Sequence, residues 1–274
     1  MEIETILLCG GSAVLGASAQ YVWMRHIWPN RHRTYVWVFA LRNHRHLGVP
    51  CKTDLVLDRQ GYSLGYSFER RCALWVSYII SKHSVSVDVE RGEKFYPDPQ
   101  IPEPYRVHPD DFKNSGFDKG HLAPSAAIDF SRKSNDETFA MSNIALQHPK
   151  LNRQAWGRLE GFLRAWTVTL GKLMVITGPI YGPKPQKVNN VPVPASFYTV
   201  VYAYTSMACV GFVLPNVEVK AEALWDHAMS IRQVEEKTGF VFFDKIGSRL
   251  DHAKQSLDVG FWQQAGRAAA NAKG

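Results

Sequence analysis

Short runs of β-branched and aromatic residues, separated by turn residues, dominate the hydrophobic pattern between residues 54 and 243. Runs of this length and composition are typical of β-strands. Residues 59–61 predict a turn between the first two runs, and the runs on either side of residue 206 resemble the two strands of a hairpin. The predicted strands are residues 54–58, 62–67, 72–80, 172–177, 197–204, 209–214 and 240–243.

Helical periodicity begins after residue 152. Pro149 predicts that residues 147–152 form a loop, since proline blocks an ongoing helix, and Asn152 then caps the helix that follows. Residues 230–237 predict a further helix, and the apolar positions Leu250, Leu257 and Phe261 predict an amphipathic helix in the chain after 247. The apolar positions of the main helix recur at i+3, i+4 and i+7 spacing: Trp156, Leu159, Leu163 and Trp166.

Residues 5–24 contain no charged side chain and are long enough to cross a bilayer at about 1.5 Å per residue. We favour a retained membrane anchor, with a cleaved targeting signal and a buried soluble helix as alternatives. The first predicts a membrane-anchored protein and the second an organellar or secreted one. The chain divides into an anchor or targeting segment (1–30), a basic connector (31–50), a main domain (51–250) and a C-terminal tail (251–274).

The formal net charge is +7. Such a balance indicates either simple solubility or a polyanionic partner, for which nucleic acid and an anionic membrane surface are the two candidates. The four cysteines are scattered and form no C-x-x-C pair, which disfavours a zinc site. We expect mostly buried free thiols, with one disulfide at most.

The strongest candidate for chemistry is His121, in the stretch Gly116-Phe-Asp-Lys-Gly-His-Leu-Ala-Pro-Ser125. This stretch predicts an extended approach and a glycine turn before the histidine, which is the default general acid or base near neutral pH. Asn152 and Glu160, downstream, offer an amide and a carboxylate oxygen to a hard cation such as Mg²⁺. On a straight α-helix they lie about 80° apart after two turns. Taken alone, an N-cap and an exposed helix residue explain them equally well.

These motifs together resemble the DNA/RNA non-specific endonucleases, the ββα-metal enzymes that include endonuclease G. The stretch from Asp118 to Ser125 resembles the family's D-R-G-H signature, and Met141-Ser-Asn143 its L-S-N element. Residues 151–160 are similar to its L-N-x-x-x-W-x-x-L-E helix. The resemblance covers residues 54–246 and implies an α+β fold, with a central, mostly antiparallel sheet flanked by helices and a nuclease domain at 51–250. The hydrophobic segment would add an N-terminal helix.

The resemblance also implies a role for each matching residue. His121 would be the general base, Asn152 the direct ligand of one Mg²⁺, and Glu160 a holder of metal-bound water. Mn²⁺ is an alternative ion. The expected activity is hydrolysis of phosphodiester bonds in DNA and RNA, which leaves 5′-phosphate ends. Further residues with implied roles are Asn143, which orients groups around His121, Arg91, which contacts the scissile phosphate, and Asp118 and Lys119, which contact substrate.

Lys119 departs from the family pattern, which has arginine at that position. Lysine keeps the charge but loses the planar fork that suits phosphate. This favours a second hypothesis, a membrane-tethered protein that binds nucleic acid on a weakened or inactive nuclease fold. A third is a protein whose basic segments bind anionic lipid. Arg91 on composition alone is a solvated surface residue. Partners predicted here are DNA and RNA, a membrane contacted through residues 5–24, and a second copy in a homodimer.

Overall fold

A seven-stranded antiparallel sheet lies at the centre of the computed structural model, which describes residues 44–86, 89, 92, 94–247 and 250–271. The strands lie side by side in the order β1-β2-β3-β6-β9-β10-β11, and every neighbouring pair is antiparallel. Their bounds are β1 Leu55–Asp58, β2 Ser63–Ser67, β3 Cys72–Ile80, β6 Leu173–Ile180, β9 Ser196–Ala203, β10 Cys209–Pro215 and β11 Ala228–Met229. This confirms the predicted central antiparallel sheet and most of its predicted strands.

Both faces of the sheet are buried. Successive side chains of a strand point to opposite sides, so each strand contributes residues to both faces. On β9, Phe197 and Val201 belong to one hydrophobic cluster, whereas Tyr198 and Val200 belong to another. The first cluster includes the main helix, through Leu163 and other residues. The helices therefore cover both sides of the sheet, as the α+β prediction requires.

Five α-helices occur in the described residues. They are α1 Arg132–Glu137, α2 Pro149–Leu170, α3 Ile231–Thr238, α4 Asp251–Gln255 and α5 Val259–Asn271; within α2 the turn Asn152–Trp156 is π-helical, between α-helical Pro149–Leu151 and Gly157–Leu170. Short 3₁₀ turns are Glu103–Tyr105, Pro109–Phe112, Ser125–Ala127, Met141–Asn143, Ala221–His227 and Asp244–Ile246.

The prediction that Pro149 keeps residues 147–152 out of the helix is wrong. Proline is well suited to the first position of a helix, where its missing N–H has no partner to lose, and α2 begins at Pro149. His148 is the N-cap, and its Nδ1 accepts a hydrogen bond from the Lys150 backbone N–H at 3.3 Å. Asn152 is therefore inside the helix and is not its cap.

A two-stranded ribbon lies next to α2. It pairs β4 (Asp118–His121) with β5 (Ile144–Gln147), so that Asp118 faces Gln147 and His121 faces Ile144. A smaller ribbon pairs β7 (Lys187–Val188) with β8 (Val191–Pro192). The β4–β5–α2 unit carries most of the predicted site residues on one supersecondary motif.

Segments at both ends of the predicted domain join the folded body. His44 and Leu47 are buried, and the chain from residue 41 onward forms one compact unit. At the other end, α5 confirms the predicted amphipathic helix, and its Trp262 is 1% exposed. The indole of Trp166 on α2 donates to the Trp262 carbonyl oxygen at 2.8 Å, so the last helix is anchored to the core.

The predicted strand at 240–243 is wrong, since these residues form no regular structure. The backbone N–H of Val241 donates to the Pro50 carbonyl, and that of Phe242 to a carboxylate oxygen of Glu235. Phe243 has φ +56°, which a strand does not allow. The aromatic side chains still enter the core, which explains why their pattern resembled a strand.

The proposed anchor at residues 5–24, the N-terminal helix and most of the basic connector lie outside the described residues. Within the described part, no helix has the length and apolar character needed to cross a membrane. Cys51, Cys72 and Cys209 are free thiols, as predicted, and burial raises the pKa of Cys51 to about 11.

Candidate active site

Asp118 joins the ribbon to the helix at the centre of the candidate site. Its Oδ2 accepts a hydrogen bond from Asn152 Nδ2 at 3.0 Å, and both carboxylate oxygens accept from the Arg153 guanidinium at 2.8–2.9 Å. Partial burial acts to raise the pKa of Asp118, but the hydrogen bonds from Arg153 and Asn152 outweigh it and lower the pKa below its ordinary value. Asp118 is therefore a carboxylate near neutral pH, and it holds the first π-helical residue of α2.

The hydrogen bond to Asp118 also orients the Asn152 amide. Because Nδ2 points at the carboxylate, Oδ1 points away from it. Among the described residues no three His, Cys, Asp or Glu side chains cluster as they would in a complete protein cage for a metal. Mg²⁺ does not need such a cage, since it keeps several waters and takes one or two protein oxygens. An oriented amide oxygen beside a carboxylate fits that ion.

The π-turn changes the relation between Asn152 and Glu160. Gly157 N–H donates to the Asn152 carbonyl, five residues back, and the Ala155 N–H leaves the helix to bond the Val219 carbonyl at 3.3 Å. A π-turn advances each residue by about 80° instead of about 100°. Five steps of about 80° from Asn152 to Gly157 and three of about 100° from Gly157 to Glu160 then give a rotation of about 700°, which is within about 20° of two full turns. The prediction of an 80° offset, which assumed a straight α-helix, is therefore wrong, and Asn152 and Glu160 lie on one face of α2.

His121 ends β4, three residues after Asp118. At about 3.4 Å per residue, its Cα lies about 10 Å along the strand from the Cα of Asp118. Its ring packs against Phe139 at 5.1 Å and Phe95 at 5.5 Å between centroids. The Lys119 ammonium lies 5.5 Å from the Phe95 centroid, so Lys119 and His121 share one environment, as alternate residues of a strand should.

Asn143 fixes the backbone that follows His121. The fully buried amide donates to the carbonyl oxygens of Ala123 and Thr138 and accepts from the Ala123 N–H, all at 2.9 Å. Its own carbonyl accepts from the Leu122 N–H at 3.0 Å. Three of these four hydrogen bonds are with Leu122 and Ala123, the two residues that follow His121.

A buried ionic network supports the same region. The guanidinium of Arg59 and the hydroxyl of Ser142 both donate to Asp98 Oδ2. Arg59 and Asp98 are almost fully buried, with 9% and 1% of their side chains exposed. Ser142 directly precedes Asn143 in the 3₁₀ turn Met141–Asn143. Its hydrogen bond to Asp98 therefore fixes the turn from which the Asn143 side chain reaches the segment after His121.

Glu160 is half-buried on α2. Burial raises the pKa of the Tyr78 hydroxyl, and the negative charge of Glu160 adds to the rise while Arg164 opposes it. Glu160 and Arg164 therefore both lie near the end of the Tyr78 side chain. Arg91 lies outside the described residues, so its place relative to the site stays a prediction.

Gln147 is a site residue that the sequence did not reveal. It lies directly opposite Asp118 across the ribbon and is 1% exposed, and neither end of its amide has a hydrogen-bond partner in the described part of the chain. A Cβ at Gly120 would come within 2.3 Å of Gln147 Oε1. Gly120 is therefore needed for close approach inside a strand, and the predicted glycine turn is wrong; Gly116, with φ +78°, forms the turn instead. Only its position opposite Asp118 identifies Gln147 as part of the candidate site.

The comparisons with known proteins agree with this geometry. The family description "DNA/RNA non-specific endonuclease" matches residues 43–248. A nuclease from Syncephalastrum racemosum is 33% identical over 230 residues, which cover 73% of this chain and 71% of that protein. Mitochondrial endonuclease G from Homo sapiens is 32% identical over 224 residues, covering 76% of this chain and 75% of that protein.

A solved structure gives the same result for the fold. The crystal structure of the EndoG/EndoGI complex, described as showing the mechanism of EndoG inhibition, superposes with a TM-score of 0.70 at 28% identity. The match covers 76% of this chain and 92% of that one. The chain belongs to the DNA/RNA non-specific endonuclease family and is a hydrolase that acts on nucleic acids.

Proposed function

We propose that this nuclease cleaves DNA and RNA internally, with little sequence preference, in a Mg²⁺-dependent reaction that leaves 5′-phosphate ends. The observation that carries the proposal is the Asp118–Asn152 hydrogen bond, since it places an oriented amide oxygen beside the strand that ends in His121. A base and a cation ligand on one rigid motif are what phosphodiester hydrolysis requires.

Asn152 would hold the cation directly through Oδ1, and Glu160 through water, because the π-turn brings both to one face of α2. Mg²⁺, or Mn²⁺ as an alternative, supplies charge neutralisation at the phosphate when it is bound. Asp118 serves as a positioning residue for Asn152. A carboxylate already engaged by Asn152 and Arg153 suits that role better than the predicted contact with an anionic substrate.

His121 acts as the general base. Neutral imidazole accepts a proton from the attacking water as its oxygen bonds to phosphorus, and the bond from phosphorus to the 3′-oxygen breaks. The phosphate stays on the 5′-oxygen of the downstream fragment, and the leaving 3′-oxygen of the upstream fragment takes a proton from solvent water to become a 3′-hydroxyl. Phe95 and Phe139 hold the ring, and Asn143 holds the backbone after it.

Two cationic residues complete the proposed site. Arg91 would contact the scissile phosphate through its guanidinium fork. Lys119, stacked on the Phe95 ring, would add a positive charge to the substrate path without that fork. The chemistry near His121 is therefore expected to be that of the family, with weaker phosphate recognition at residue 119.

Relatives of this chain are named mitochondrial nucleases in several organisms. We propose an organellar location, to which residues 1–30 would direct the protein as a retained anchor or a targeting signal. A homodimer remains part of the proposal. Fractionation of cells with detection of the intact N-terminus tests the location, and a mature protein beginning after residue 24 would exclude the anchor.

The activity is tested by incubating the full chain with supercoiled plasmid and with structured RNA, in Mg²⁺ and then in excess EDTA. Nicked and linear DNA should form only with Mg²⁺, and phosphatase treatment should make the new 5′ ends available to a kinase. His121→Ala should lose cutting and keep binding. Binding without cutting by the unaltered protein would favour the alternative of a nucleic-acid-binding protein on a weakened nuclease fold.

A further inference from the structure

A groove runs along α2, the helix that also carries Asn152 and Glu160. It has a volume of about 560 Å³, within the range of about 300–1,000 Å³ that is usual for ligand sites. Three elements line it: α2, α5 and the turn Ala221–His227. The lining residues are Gly157, Arg158, Gly161, Phe162, Ala165, Trp225, Gln263, Gly266 and Arg267.

The charges in the groove have one sign. Arg158 and Arg267 are exposed, and neither has a carboxylate partner among the described residues. The Arg158 guanidinium lies 5.2 Å from the centroid of the Phe162 ring, which presents its planar fork from a supported position. No acidic residue of the described chain lines the groove. The complementary ligand is therefore an anion with more than one charged group.

One edge of the groove borders the face of α2 that carries Glu160. Gly157 is three positions before Glu160, and residues with this spacing are neighbours on a helix surface. A Cβ at Gly161 would meet nothing within 4 Å. Because Gly157 and Gly161 have no side chains, the helix surface is unobstructed there, and a nucleic-acid backbone can pass from the Glu160 face into the groove.

The second wall depends on a helix beyond the part that matches the family description, which ends at residue 248. Gly266 on α5 lies against Phe162, where a Cβ would come within 2.6 Å of the ring. Arg267 and Gln263 line the groove together with Arg158. The Phe162 ring is covered by Arg158 and stacked on Trp166, whereas the partly exposed ring of Trp225, which also lines the groove, offers a surface on which a base can stack.

We infer that the α2–α5 groove binds the single-stranded part of the nucleic acid that flanks the cleavage site, with Arg158 and Arg267 on successive phosphates. This deepens the proposed function and rests on it. The groove is too small for a duplex but suits one or two nucleotides. It makes the C-terminal helix a determinant of substrate binding.

The test measures binding of fluorescein-labelled (dT)₁₂ to the full chain by anisotropy in EDTA, where no cutting is needed. In the double variant Arg158→Ala/Arg267→Ala, Kd should rise about tenfold. The slope of log K against log salt should fall by about 1.4, since each single-strand phosphate contact contributes about 0.7. Gly161→Glu should weaken binding similarly, because its side chain enters open space as an anion.

Lys237→Ala, which removes an exposed charge on α3, is the matched control and should bind as the unaltered protein does. In Mg²⁺, KM for long single strands should rise in the two groove variants and stay unchanged in Lys237→Ala. If the unaltered chain does not cut but binds (dT)₁₂ through the arginines, the proposed nuclease mechanism fails and the groove stands.

Three results would overturn the inference. The first is an unchanged Kd and salt slope in both groove variants. The second is conversion of a dimer to a monomer in sedimentation experiments with oligonucleotide binding intact, because the groove would then hold a second copy. The third is loss of binding to phosphatidylcholine–cardiolipin vesicles with (dT)₁₂ binding intact, because the groove would then hold an anionic lipid surface.

Discussion

Replacement of Asp118 by alanine should raise the Mg²⁺ concentration that cleavage requires, without abolishing the reaction. The carboxylate is the hydrogen-bond partner that fixes the amide of Asn152, at 3.0 Å. Without it the amide can rotate, and Oδ1 no longer points consistently at the cation. The side chains of His121 and Asn152 remain in place, so chemistry should recover when the metal is raised.

The size of the effect follows from the contacts. Loss of a group that holds a metal ligand typically costs 10–100-fold in affinity or activity. We therefore expect the Mg²⁺ concentration for half-maximal cleavage to rise about 10–100-fold, or about 1.4–2.7 kcal/mol. A hydrogen bond to a charged group contributes about 1.5–3 kcal/mol, so the loss of this one bond is enough to explain the effect.

The assay is the initial rate of plasmid nicking across a Mg²⁺ titration at constant ionic strength. Arg153→Ala is the matched control, since it removes the exposed partner of Asp118 and leaves the bond to Asn152. Its half-saturating Mg²⁺ should change less than about threefold. An unchanged Mg²⁺ requirement in Asp118→Ala, or an equal change in Arg153→Ala, would refute the positioning role.

Three further outcomes are expected. Asn143→Ala removes a buried amide with three hydrogen bonds and should lower the free energy of unfolding by about 2–4 kcal/mol in urea titrations; a loss under about 1 kcal/mol would contradict the role of this amide. Burial lowers the pKa of His44 from 6.5 to about 4, so as the pH falls His44 is protonated in the unfolded chain before it is protonated in the folded protein. The resulting contribution to the free energy of unfolding, up to about 3 kcal/mol, is fully present above pH 6.5 and should be lost as the pH falls towards 4. His44→Asn should flatten that pH dependence; an equally steep loss in the variant would exclude His44 as its cause. Lys119→Arg should raise kcat/KM on plasmid severalfold, because the guanidinium fork suits phosphate, whereas Lys119→Gln should lower it; equal rates for Arg and Gln would contradict a substrate contact at residue 119.

The strands were predictable because their signal is local. β3 is an uninterrupted β-branched and aromatic run, and its predicted bounds match those of the structure. The hairpin of β9 and β10 was found in the same way. The segment 240–243 has the same composition, but its backbone donors bond to Pro50 and Glu235, which no local pattern can reveal.

The geometry of the site was only partly predictable. The motifs singled out His121 and Asn152, which lie on a strand and on the helix next to it. The face of α2 on which Asn152 lies depends on the Ala155 N–H, whose acceptor Val219 is distant in sequence. The importance of Asp118 for Asn152 depends on the packing of β4 against α2. Gln147 has no motif of its own and is identified only by its burial opposite Asp118.

The groove likewise lies beyond what the pattern could predict. The apolar spacing of the C-terminal tail predicted an amphipathic helix, and α5 confirms it. Where that helix packs is decided by Trp262, which accepts from Trp166 and donates to the Cys209 carbonyl. Helical periodicity shows that a face will be buried, but it does not identify the partner.

The central claim is that His121 is the general base, and single-turnover cleavage by His121→Ala at saturating Mg²⁺ tests it most directly. The missing ring leaves a space between Phe95 and Phe139, into which free imidazole can enter. The account predicts a loss of about 10²–10⁴-fold in rate, with binding of plasmid unchanged and partial recovery as imidazole is added. Cleavage by the variant at the unaltered rate, or a loss of rate that imidazole leaves unchanged while the folded structure is intact, would contradict it.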